Sequence, residues 1–158
     1  MAELGWCGVC VEPSPEVFEK LATLYMKNMD VYCYEVAIGN NDTFIKFYNN
    51  TNAVATTIEH ETKRWTDEKF NEITVEQLSF NTLLDNCIYK QFEFISIDIE
   101  GKDWEALQQM NLKELGCKMI CLEHNGRRGE QAKYIDYCKQ FGLNKILLVN
   151  AENIILAV

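Results

Sequence analysis

The sequence predicts an α/β sandwich with a mostly parallel sheet, and three observations carry that prediction. Short, nearly unbroken apolar runs recur at residues 7–11, 92–99 and 118–123, the pattern of strands buried on both faces. Segments with apolar residues at helical spacing separate these runs, at residues 15–25, 104–110 and 131–141. Two further apolar runs, 145–149 and 153–158, are divided only by Asn150-Ala-Glu152, as in an antiparallel hairpin that ends the sheet. Strands alternating with helices pack as a layered α/β structure.

In chain order, Cys7-Gly-Val-Cys-Val11 reads as a buried strand that Glu12-Pro-Ser-Pro15 ends. Ser14 suits a helix cap and Pro15 the first helical position. Val17, Phe18, Leu21, Leu24 and Tyr25 then form one helical face. Residues 31–37 read as a second strand, Gly39-Asn-Asn-Asp42 as a turn, and 43–48 as a third extended piece. Residues 49–69 are polar and poorly periodic, so they read as a loop, and 49–61 could serve as a lid. A short strand at 73–77 precedes a short helix with Asn81 as its cap. The run F-E-F-I-S-I-D-I at 92–99 has the composition of a central parallel strand. Gly142 ends the helix at 131–141. No repeat, low-complexity segment or linker interrupts residues 1–158, which read as a single domain.

At 158 residues the chain has the length of one domain and buries roughly 70% of its unfolded surface. Lys plus Arg total 15 and Asp plus Glu total 24, a net charge of −9. This balance argues against a nucleic-acid backbone binder, because basic residues cluster no further than small groups such as Arg127-Arg128 beside Lys133. No stretch is apolar enough to span a membrane, and residues 1–12 lack a basic, cleavable leader. Seven cysteines without an export signal imply reduced thiols and a cytoplasmic protein.

Cys7 and Cys10 have redox-pair spacing, but on a strand they face opposite ways and lie roughly 10 Å apart. Cys117 and Cys121 are roughly 13 Å apart on a strand, too far to share one zinc ion. No metal is predicted. Glu12, at the carboxyl end of the first strand, either accepts hydrogen bonds from ribose hydroxyls or complements a helix dipole. Asp98 ends the most apolar strand, where an acid belongs in a cleft or at a solvated strand end. Glu100 shares that position and Gly101 permits a sharp turn. Glu123 and His124 end the next strand, which as a parallel neighbour brings Glu123 to the same sheet edge as Asp98. His124 titrates near neutrality, although His-Asn-Gly is also a plain turn sequence.

Four blocks together resemble the FkbM-type methyltransferases: Gly5-Trp-Cys-Gly-Val-Cys-Val-Glu-Pro-Ser-Pro15, Val36-Ala-Ile38, Phe94-Ile-Ser-Ile-Asp-Ile-Glu-Gly101 and Leu122-Glu-His124. The resemblance implies a Rossmann-like class-I methyltransferase sandwich with S-adenosylmethionine as cofactor. It implies that Glu12 holds the cofactor ribose, that Ala37 and Ile38 lie near the adenine, and that Asp98 also borders the cofactor. It assigns Asp98, with His124 second, as the base for a hydroxyl acceptor, and Glu100, Gly101 and Glu123 to the substrate side. A small molecule or carbohydrate is the implied acceptor.

Members of that family begin with a strand and a D-x-G-A-x-x-G turn ahead of the block that opens this sequence. The expectation is therefore a sandwich whose first strand is missing, weak cofactor binding, no detectable transfer without that segment, and self-association through exposed strand edges. The rival expectation is a non-catalytic Rossmann-like module that does not bind the cofactor productively.

Overall fold

The computed structural model describes residues 5–49, 70–126 and 129–158. The expected loop and lid therefore lie outside the described residues beyond Asn49, as do Arg127 and Arg128. The chain forms two compact units, Met1–Tyr89 and Lys90–Val158.

In the first unit, β1 (Gly8–Val11) pairs in parallel with β2 (Val31–Tyr34) across the crossover helix α1 (Pro15–Tyr25). Pro15 opens α1 as expected, but the Ser14 side chain makes no capping bond; its hydroxyl is buried without a partner among the described residues. Leu24 is 72% exposed, so the helix buries a narrower face than its spacing suggests.

The expected strand at 31–37 is two strands. β2 stops at Tyr34, and β3 (Ala37–Gly39) enters a second sheet with β4 (Thr43–Asn49) and β5 (Asn71–Ser79), in the order β3-β5-β4. β3 runs parallel and β4 antiparallel to β5. Helix α2 (Phe80–Asn86) is capped by Ser79, whose hydroxyl accepts from the Thr82 N–H, rather than by Asn81. Val36, Leu83 and Cys87 form one core with Val9, Val11 and Tyr34; Ala37, Phe47 and Val75 form another.

In the second unit, β6 (Phe94–Ile97) runs parallel to β7 (Met119–Glu123), with Phe94 paired to Met119 and Ile97 to Leu122. β8 (Lys145–Val149) and β9 (Asn153–Ala157) form the expected antiparallel hairpin. The hairpin does not simply extend the sheet. β9 inserts between β7 and β8, giving the order β6-β7-β9-β8, so among the described residues β6 ends this ladder instead of lying at its centre. Ile120, Leu122, Ile154 and Leu156 are fully buried, and so are Leu107 of helix α3 (Asp103–Gln108) and Tyr134 and Cys138 of helix α4 (Glu130–Lys139). Among the described residues three ladders are parallel and three antiparallel: the β1-β2 sheet is parallel and the other two sheets are mixed. The α/β class holds, with mixed sheets in place of a mostly parallel one. Among the described residues no helix is long and apolar enough to cross a membrane.

Candidate functional site

The parallel register of β6 and β7 brings their carboxyl ends together. Asp98 follows β6 directly, and Glu123 is the last residue of β7. Asp98, Glu100 and Glu123 each place one carboxylate oxygen within 4.8 Å of the others. Asp98 is exposed; Glu100 and Glu123 are half-buried. Three such oxygens are the ligand type that hard divalent cations take.

The loop after β6 has unusual backbone geometry. Glu100 has φ +51° and Gly101 φ +107°. A left-handed Glu carries a steric cost that glycine does not, and such strain persists only where the surroundings fix it. Asp103 supplies that fixation. It is 2% exposed, and its two oxygens accept from the Ile99 and Gly101 N–H groups, each at 3.1 Å. Burial pushes the Asp103 carboxyl up against the opposing effect of these bonds, and the charge of Asp98 adds to the rise. Asp103 is a site residue that the sequence marks only weakly. Its signal is an acid at a helix start, two residues after a glycine, able to reach back to the turn.

Burial pushes the Glu123 carboxyl up to about 8, reinforced by the charges of Asp98, Glu100 and Asp103 and by a hydrogen bond with Asp98. Its Oε2 is buried without a hydrogen-bond partner among the described residues. Like charges crowded in a partly dry site raise at least one member in this way. Near neutral pH, Glu123 therefore holds a proton toward Asp98, and the cluster carries less repulsion than three carboxylates would.

His124 is placed differently from its neighbours. It is 3% exposed, Nδ1 accepts from the Gly126 N–H at 3.0 Å, and Nε2 lies 3.1 Å from the Gln131 side-chain amide. With Nδ1 accepting, the neutral ring carries its proton on Nε2, beside the Gln131 side-chain amide. The His124 and Asn125 N–H groups both donate to the Glu152 carbonyl. With both ring nitrogens engaged, His124 holds the turn after β7, where Asn125 (φ +49°) and Gly126 (φ +63°) are left-handed.

In the first unit, Glu12 extends the β1–β2 pairing through its N–H to the Tyr34 carbonyl, at 3.1 Å. Its Oε1 accepts from the Ser14 N–H at 2.8 Å. Burial raises the Glu12 carboxyl and the Ser14 bond partly offsets this. Ala37 is buried with Phe47 and Val75, while Ile38 packs on the Val36–Leu83 core. The structure thus clusters Asp98, Glu100 and Glu123, keeps His124 in a supporting place, and seats both Ala37 and Ile38 in core packing.

No curated protein and no solved structure shows a match to the chain. The family model of the methyltransferase FkbM domain matches residues 1–145. That span includes every strand up to the turn before β8, the Glu12 strand end and the whole acidic cluster, so the chain belongs to the FkbM methyltransferase domain family.

Proposed function

We propose that the domain transfers a methyl group from S-adenosylmethionine to a hydroxyl of a small molecule or carbohydrate, with Asp98 as the base. The observation that carries this reading is the carboxylate cluster at the β6 and β7 ends, exposed at Asp98 and proton-holding at Glu123. When bound, the cofactor supplies a methyl on a sulfonium, open to in-line displacement. Glu12 suits its ribose: one oxygen is fixed by Ser14, and the other has no hydrogen-bond partner among the described residues. Asp98 would take the proton of the acceptor hydroxyl as general base, and the sulfonium would give up its methyl and leave as the neutral thioether. Glu100 and Gly101 shape the loop beside it, Asp103 holds that loop, and His124 is a positioning residue. The reading leaves Ala37 and Ile38 to set the backbone edge near the adenine.

The test is isothermal titration with S-adenosylhomocysteine, followed by transfer from labelled S-adenosylmethionine to a panel of sugars and small alcohols. Micromolar binding that is lost in Glu12→Ala, with transfer lost in Asp98→Asn while binding remains, supports the proposal. An absence of heat at millimolar ligand overturns it for this chain and favours the non-catalytic reading.

A further inference from the structure

Cys10 and Cys33 are paired in register across the parallel ladder of β1 and β2. Strand side chains alternate, so both thiols leave the sheet on one face, opposite the face where Val9, Val11 and Tyr34 meet the Leu83 core. The two thiols lie close enough to influence each other electrostatically, and both are free and partly exposed. Neighbouring strands lie about 4.8 Å apart, inside the Cα span of about 4.4–6.8 Å that a disulfide bridges. Side chains on parallel neighbours run side by side, so bond formation draws the two Cβ atoms together by only about 1 Å.

Access comes from one side. Cys33 lines an open groove of about 300 Å³ with Phe18, Ala22 and Tyr25 of α1 and Val31 of β2. The other cysteines lack this relation. Cys7 precedes β1, and buried Cys117 donates its thiol proton to the Met119 carbonyl.

We propose that Cys10 and Cys33 form a reversible cross-strand disulfide through exchange with a small disulfide such as oxidised glutathione. The Cys33 thiolate attacks one glutathione sulfur and releases the first glutathione thiol. The Cys10 thiolate then attacks the Cys33 sulfur of the mixed disulfide and releases the second. Two protein thiols are oxidised to one disulfide while one glutathione disulfide is reduced to two thiols. Burial raises both thiols, on Cys10 with the Cys33 sulfur adding to the effect, so the exchange quickens as pH rises. The inward pull on the two strands makes the bond easy to reduce.

The experiment treats the whole chain with excess glutathione disulfide in mildly alkaline buffer. It then alkylates the remaining thiols, digests without reduction, and maps peptides by mass spectrometry. The expected product joins the Cys10 peptide to the Cys33 peptide at two hydrogens below their summed mass. It disappears with dithiothreitol, is absent in Cys33→Ser, and persists in Cys7→Ser. Three results overturn the proposal: alkylated Cys10 and Cys33 while exposed Cys7 is glutathionylated, a separate glutathione on each, or Cys10 joined to Cys7. The main readout needs no substitution, so a variant that fails to fold leaves the test decisive.

Discussion

Replacing Glu123 with Gln should flatten part of the pH dependence of stability. In the native protein the Glu123 carboxyl titrates near about 8, against 4.5 for the ordinary group. The folded state keeps a proton that the unfolded chain has released above pH 4.5. The stabilisation is therefore fully present below that pH and is lost as pH rises through 8. The difference of 3.5 units, at about 1.36 kcal/mol each, sets an upper bound of about 5 kcal/mol. The side chain is only half-buried, and solvent screening brings this to about 2 kcal/mol. Gln does not titrate, and its amide still donates toward Asp98. The variant should match the native protein near pH 5 and exceed it by about 2 kcal/mol near pH 9. The raised Glu12 and Asp103 carboxyls act with the same sign but remain in both proteins, so they largely cancel in the difference. Asp42 is lowered by its bonds from Ser79 and Thr82, so its effect appears only in acid, outside this window. Urea unfolding between pH 5 and 9 measures the difference, with fluorescence of Trp104, packed against Tyr134 and Tyr137, as a probe within the same unit. Parallel decline of both proteins across that range would refute the reasoning.

Asp103→Ala should lose about 2–4 kcal/mol by leaving the Ile99 and Gly101 N–H groups unpaired, and Asp103→Asn about half as much, as read by urea midpoints. Glu100→Gly should raise stability by about 0.5 kcal/mol by relieving the left-handed backbone, while lowering methyl transfer; a fall in melting temperature would count against the strain argument.

The meeting of Asp98 and Glu123 was legible in the sequence because both end apolar runs long enough to be neighbouring parallel strands. The place of β9 was not. K-I-L-L-V and N-I-I-L-A carry the same pattern, yet Ile154 and Leu156 are fully buried while residues 146–149 are 44–48% exposed. Only pairing partners distinguish the two strands, and one sequence does not display them. The continuous run from Val31 to Ile38 likewise concealed the change of sheet between Tyr34 and Ala37. His124 drew attention through its titration range, but its burial and its two ring contacts come from tertiary structure. Asp103 went unread because a first-turn acid ordinarily complements the helix dipole, whereas here it fastens the preceding loop.

The central position of β9 also governs when the second unit can assemble. Both strands that flank it, β7 and β8, leave the ribosome before it does. Until synthesis passes Ala157, each exposes backbone groups that only β9 will pair, and α3 and α4 have an incomplete surface to cover. Assembly waits for a late, non-local closure, which slows folding and lengthens the interval in which the nascent sheet needs protection from other chains.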